Sequence, residues 1–415
     1  MKYNRCRIFL VVILLVSFSI HLPAQTKKEK KKAINAIRER DKKFYSGSPE
    51  QSAFNETIHF QYVSGLIVVS VTINGKVYDF IFDTGALTLV TEELAKELQL
   101  EKTGTTEMND GTSATKKVDI YSIERLQMGN IVFKNTGCMV NNLDDVSKML
   151  CKKIDGIIGV NLMHECYWKI KFNDTTINLS SRVPTLPATA LALAFVENFG
   201  RSPFMRTQYN DSSLYIEFDS GSNGPLDINE DLTAINRKPE TSIFAAGYGF
   251  TTQTFFQKLT SKVYMGIADS IKIGGVMFRN KIVRLSRERN VSLMGTSFMK
   301  NYESILDFEN HKIYMNPLSD TIDTKYSRSF GLNFVADSGK LKVTFLWEGS
   351  KAAADGIKLG DEITSVNSIN TSSITNEQYC DLKNELTGME TLRLTIKDAA
   401  NNEKAFQLNK YDLVR

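Results

Sequence analysis

Two short segments combine residues that suit acid–base chemistry: Asp83-Thr84-Gly85 and Asp219-Ser220-Gly221. Two carboxyls a few ångströms apart cannot readily both ionise, so such a pair shares one proton over a useful pH range. The ionised member can draw a proton from a water held between them while the protonated member donates to a carbonyl oxygen. Water then attacks the carbonyl carbon with no covalent intermediate. Thr84 and Ser220 place hydroxyls beside the carboxyls, and Gly85 and Gly221 permit close backbone approach. One such triplet is weak evidence, because these residue types also favour turns. Asp337-Ser338-Gly339 is expected to be a plain hairpin turn between two strands.

The elements that would position the aspartates read as strands. Residues 66–73 are apolar and β-branched, Asn74-Gly75 is a strong hairpin signal, and residues 76–82 return as a second strand ending at Asp83. Residues 204–209, a turn over 210–213 and a strand over 214–218 repeat the arrangement up to Asp219. Asn74 and Asn210 each stand nine residues before their aspartate. Ile157-Ile158-Gly159 and Leu293-Met294-Gly295 follow the aspartates, each glycine 76 residues downstream. The order of landmarks points to a duplicated unit that contributes one aspartate per copy. Glu217 interrupts the second apolar strand.

Length and composition set the wider frame. With 415 residues, two to three domains are expected. An apolar content of 42% fits an ordinary globular chain and excludes both intrinsic disorder and a multi-span membrane protein. A net charge of +4, from 51 basic and 47 acidic side chains, gives no strong field for nucleic acid. Lys2, Arg5 and Arg7, an apolar run over 8–20 and Leu22-Pro23-Ala24 read as a signal peptide over 1–24. Export to a periplasmic or extracellular space follows, with retention as a signal anchor the competing reading. Residues 25–54 form a basic segment. Signal removal leaves Cys138, Cys151, Cys166 and Cys380, which can pair in three ways. His59, His164 and His311 lack common zinc spacings, and neither a metal nor another cofactor is expected.

These motifs resemble those of the aspartic peptidases, especially single-chain proteins with two retropepsin-like lobes. The resemblance covers about residues 55–317 and is closer in the first copy, around Phe80-Ile81-Phe82-Asp83-Thr84-Gly85-Ala86. It implies a mainly β fold of two pseudo-symmetric β-barrel lobes, over 55–182 and 183–317. It also implies that Asp83 and Asp219 are catalytic, that Thr84, Gly85, Ser220 and Gly221 brace them, and that Gly159 and Gly295 lie beside the aspartate loops in a crossed arrangement. Asn223-Gly224-Pro225 departs from the pattern after the second aspartate, so an inactive two-lobe peptide-binding or scaffold protein is the alternative. Ala86 removes one potential hydrogen bond to Asp83, which points to activity nearer neutral pH. Residues 108–113 and 246–250 are the best candidates for substrate-covering hairpins, and both read equally well as ordinary surface turns.

After a connector over 318–328, residues 329–415 closely resemble a PDZ domain: a small β-sandwich or barrel with two helices. Its matching features are Ser350-Lys351-Ala352-Ala353-Ala354, the Gly360-Asp361 turn and an amphipathic helix over 374–386. By position, Gly331, Leu332, Asn333 and Phe334 are the loop and strand that the resemblance assigns to holding a peptide C-terminus by β-augmentation. A structural or intramolecular docking role competes with that assignment. The expected partners are a peptide or protein substrate and protein C-termini, with no nucleic acid and no stable membrane insertion. A monomer is expected, since duplication within one chain removes the need for a second copy.

Overall fold

The computed structural model describes residues 41–415 except 110, 113, 114, 199, 211, 230–244, 255, 319–326, 399 and 415. The signal peptide, the basic segment up to residue 40 and all but the ends of the connector lie outside the described residues. None of the described helices is long and apolar enough to cross a membrane.

The chain is mainly β, and the expected repeat appears strand by strand. Its first part comprises β1 Asn55–Val63, β2 Leu66–Ile73, β3 Lys76–Phe82, β4 Leu89–Thr91, β5 Lys102–Asn109, β6 Thr115–Met128, β7 Ile131–Asn141, helix α1 Asp144–Leu150, β8 Gly156–Ile158, helix α2 Val160–Met163, β9 Tyr167–Lys171 and β10 Thr176–Ser180. The second comprises β11 Pro203–Tyr209, β12 Ser212–Phe218, β13 Leu226–Asn229, β14 Ala245–Gln253, β15 Lys258–Ile273, β16 Val276–Ser286, β17 Ser292–Met294, helix α3 Thr296–Met299, β18 Tyr302–Asp307 and β19 Lys312–Pro317. Sheet order is β2-β3-β8-β4-β7-β6-β5 in the first and β11-β12-β17-β13-β16-β15-β14 in the second. Even the register agrees: Phe80, Ile81 and Phe82 face Gly156, Ile157 and Ile158, while Ile216, Glu217 and Phe218 face Ser292, Leu293 and Met294.

Local chemistry explains the hairpin that carries each aspartate. Asn74 and Gly75 take φ of 50° and 78°, the left-handed pair that a two-residue turn needs to follow strand twist, and Asn210 also takes φ of 46°. Ser338 and Gly339 take 52° and 78° between their two strands, so the third triplet is the hairpin turn expected of it. The copies meet through a sheet in which β9 pairs antiparallel with β18, Trp168 opposite Leu306 and Ile170 opposite Ser304. A continuous core runs across this seam, with Phe82, Trp168, Phe218, Leu306 and Met315 all buried in it.

The C-terminal module contains β20 Leu332–Asp337, β21 Lys340–Trp347, helix α4 Lys351–Ala354, β22 Glu362–Val366, helix α5 Asn376–Leu386, β23 Thr391–Lys397 and β24 Glu403–Asn409. Both helices begin where sequence chemistry sets a cap. Ser350 accepts a hydrogen bond from the Ala353 amide, and Thr375 with Gln378 forms a capping box. The module has its own core, in which Leu332, Ile363, Leu382 and Leu394 are buried.

Among the described residues this module is joined to the copies by a disulfide, by strand pairing and by the apolar cluster beside that pairing. Cys151, just after α1, is disulfide-bonded to Cys380 on α5, across 229 residues of sequence. Cys138 and Cys166 remain free and buried. The neighbouring Lys383 Nζ donates to the Met149 carbonyl at 2.6 Å and to Ser64 Oγ at 3.1 Å. The second link is strand pairing: Gly247, Tyr248 and Gly249 of β14 face Trp347, Leu346 and Phe345 of β21. Residues 246–250 are therefore the interior of a strand, not a hairpin tip, and the tip lies between Gln253 and Lys258, with residue 255 outside the description. Their glycines are explained by close approach, since a Cβ on Gly247 would lie 2.5 Å from the Phe345 ring and one on Gly249 2.2 Å from the Thr344 carbonyl oxygen. Gly249→Val should push the two strands apart. The expected result is a loss of about 1–3 kcal/mol in a urea melt, with faster exchange at the Glu348 amide, which donates to the Ala246 carbonyl at 2.8 Å.

Candidate active site

Each aspartate leaves its strand in the same way. The Asp83 amide donates to the Ile158 carbonyl at 2.9 Å, and the Asp219 amide to the Met294 carbonyl at 3.0 Å. The Gly85 amide then turns back to Asp83 Oδ1 at 2.8 Å, and the Gly221 amide to Asp219 Oδ1 at 2.9 Å. β8 and β17, which lead into Gly159 and Gly295, each thread between the two strands that flank their own aspartate loop. Gly159 donates to Thr88 Oγ1 at 3.2 Å in the first copy, and Gly295 to the Pro225 carbonyl at 2.9 Å in the second. Both glycines thus lie beside the loops, as the resemblance implies.

The loops are locked to each other by the two hydroxyl residues. The Thr84 amide donates to Ser220 Oγ at 3.0 Å, and the Ser220 amide donates to Thr84 Oγ1 at 2.9 Å. Each hydroxyl donates its own proton across the seam, Thr84 to the Phe218 carbonyl and Ser220 to the Phe82 carbonyl. Thr84 and Ser220 are completely buried, so a lost partner here would strand a polar group away from water. Glycine is required at the contact: a Cβ on Gly85 would lie 2.8 Å from Asp219 Oδ1, and one on Gly221 2.3 Å from Asp83 Oδ2.

This packing brings the two carboxyls together around Gly85, where a Cβ would lie 2.8 Å from Asp219 Oδ1 and 3.4 Å from Asp83 Oδ1, close enough for each to act on the other's proton. Burial, and next the charge of Asp219, push Asp83 well above the ordinary aspartate range. Burial also raises Asp219, and the positive charge of Arg289 opposes that shift, so the two carboxyls share a proton as a pair. Sequence reasoning missed Arg289. Its only signal was a charged run, Arg287-Glu288-Arg289, just before β17.

The hairpin β5–β6 reaches the second copy at its tip. The Asn290 amide donates to the Gly111 carbonyl at 2.9 Å, Asn290 Nδ2 to the Thr112 carbonyl at 2.8 Å, and Gln257 Nε2 to Thr112 Oγ1 at 2.8 Å. Lys116 lies 4.7 Å from the centre of the Phe256 ring. The expected covering segment at 108–113 is thus a hairpin tip, seated against its counterpart at 254–257, with residues 110 and 113 outside the description.

The residues expected to hold a peptide terminus sit at the start of β20. The Gly331 carbonyl accepts from the Trp347 amide at 2.9 Å. Leu332 is buried and Asn333 is exposed, while Phe334 packs against the same core as Tyr379 and Leu382 of α5. β20 pairs with β21 along one edge, and no strand pairs with its other edge among the described residues.

Asp83 holds a proton that the unfolded chain would release near pH 4. Its contribution to stability is therefore full below that pH and is lost as pH rises toward the raised folded value. Asp83→Asn should accordingly raise the melting temperature at pH 7.5, with a gain that shrinks toward zero at about pH 3.5, as measured by calorimetry.

Comparison with known families matches residues 69–162 to the aspartyl protease model, a span that contains Asp83-Thr84-Gly85 and Gly159. Residues 321–397, including Gly331 to Phe334, match the PDZ domain model. No curated protein matches the chain.

Proposed function

We propose that this chain, which carries an aspartyl protease domain and a C-terminal PDZ domain, is an exported aspartic endopeptidase that cleaves peptide bonds with water activated between Asp83 and Asp219. The observation that carries the reading is the contact of these two buried carboxyls across the Thr84–Ser220 brace. In this mechanism Asp219 takes a proton from the water while Asp83 donates to the oxygen of the scissile carbonyl. The tetrahedral diol collapses as the leaving nitrogen receives a proton from Asp219 and Asp83 recovers its own. The meeting hairpin tips at 111–112 and 254–257 serve as covers that exclude water from bound substrate.

The proposed organisation is a lobe over 55–182, a second over 183–317, a connector over 318–328 and the PDZ domain over 329–415. The open edge of β20, entered through Gly331, Leu332, Asn333 and Phe334, suits a protein C-terminus added as a further strand. Its role would be to bring substrate chains to the cleft and raise their local concentration. Export rests on the basic and apolar leader at residues 1–24, and mass measurement of the mature N-terminus checks it.

The deciding experiment is hydrolysis of an unstructured protein by the wild type, Asp83→Asn and Asp219→Asn, with pepstatin as inhibitor. Each substitution should lower kcat by at least about 10²–10⁴-fold. The raised carboxyls place the optimum nearer neutral pH, and a maximum below about pH 3 would contradict that placement. Full activity in either variant overturns the dyad. Peptide binding without turnover in the wild type identifies an inactive two-lobe binding protein instead.

A further inference from the structure

Glu217 occupies a position that the first copy fills with Ile81. Both sit in the middle of a three-residue parallel pairing, Ile81 opposite Ile157 and Glu217 opposite Leu293. Glu217 is only 7% exposed, and its antiparallel neighbour on β11 is Phe204. An ionised carboxylate in such a place costs several kcal/mol unless a cation or several donors hold it. The charges of Asp219 and Asp83 oppose its ionisation, while the Ser202 hydroxyl and Arg289 favour it. Arg201, next to Ser202 in sequence, is turned toward His164 and Glu197. Burial is the largest influence and keeps Glu217 protonated well above the ordinary range.

One polar partner is within reach, the Ser202 hydroxyl. Ser202 is itself 2% exposed, and its Oγ lies 3.3 Å from the Gly85 carbonyl oxygen. A hydroxyl has a single proton to donate. When Ser202 donates to Gly85, Glu217 must supply its own proton to Ser202 Oγ. The Gly85 carbonyl and the Ala86 amide are two ends of one peptide group, and the Ala86 N–H bonds the Asp83 carboxyl. A path of contacts therefore runs from Glu217 through Ser202 to Gly85, whose amide donates to Asp83 Oδ1 at 2.8 Å. Ionisation of Glu217 would turn the Ser202 proton away from Gly85 and break it.

We propose that Glu217 is a third carboxyl of the active site, a positioning residue that, through Ser202, fixes the Gly85–Ala86 peptide against Asp83. The proposal rests on the dyad reading. Ala86 cannot supply the side-chain hydrogen bond that a hydroxyl residue would give Asp83, and Glu217 with Ser202 supports the same carboxyl through the backbone.

The test compares pH profiles of kcat/KM for the wild type, Glu217→Gln and Glu217→Ile, the last copying the first lobe. Gln can still donate to Ser202 but cannot titrate. It should keep kcat within about two-fold of wild type at the optimum, with the alkaline limb reporting loss of one proton where the wild type reports two. Glu217→Ile should lower kcat by about ten-fold with KM unchanged. Infrared spectra at neutral pH provide a readout independent of turnover, in which Glu217→Gln removes one protonated-carboxyl band. Profiles identical across all three proteins overturn the proposal, as does an unchanged carboxyl band or a Gln variant as impaired as Ile. A wild type whose activity survives Asp83→Asn shows that the dyad reading failed, and the infrared result then still decides the state of Glu217.

Discussion

The reciprocal hydrogen bonds between Thr84 and Ser220 are the constraint on which the remainder of the structure depends. Each hydroxyl accepts an amide from the opposite loop and donates to a carbonyl beyond it, so neither copy can satisfy its own loop alone. The continuous sheet through β9 and β18 and the shared core hold the copies at the distance these bonds need. The result is a pair of like-charged groups pressed together in a dry setting. Two carboxyls would otherwise separate or take up water, and the proton between Asp83 and Asp219 is the electrostatic outcome of preventing both.

Duplication supplies the frame, and departures from it supply the asymmetry. Glu217 in place of an isoleucine, together with Arg289 near Asp219, makes the two surroundings chemically unequal although the pairing beside each aspartate has the same register. Elsewhere the second copy also holds a buried pair, Arg284 with Asp227 at 2.7 Å in two places, on strands that lie parallel to each other. A symmetric pair would have no reason to favour a proton on one side. Here Asp83 is raised well above the ordinary range, and Arg289 opposes the rise at Asp219.

The parts legible in the sequence were those with local chemical causes. Asn74-Gly75 signalled its turn because the required backbone conformation is written in two adjacent residues. The aspartate pair was legible because the same motif recurred in the same order. Contacts between distant segments were less so. The spacing of four cysteines could not single out Cys151 with Cys380. Gly247 and Gly249 looked like turn residues, since sequence does not distinguish a glycine that bends the chain from one that makes room for a neighbour's ring. Glu217 was visible as an interruption, but its burial and its link to Gly85 depend on Ser202, which reaches it only in the folded chain.

The bond between Cys151 and Cys380 encloses the whole second copy and the first half of the PDZ domain in one covalent ring. A single nick anywhere within that ring, including the exposed turns, therefore opens the polypeptide without releasing a fragment. Both pieces stay attached until a thiol reductant arrives, so the molecule tolerates in an oxidising setting a cut that would dismantle it in a reducing one.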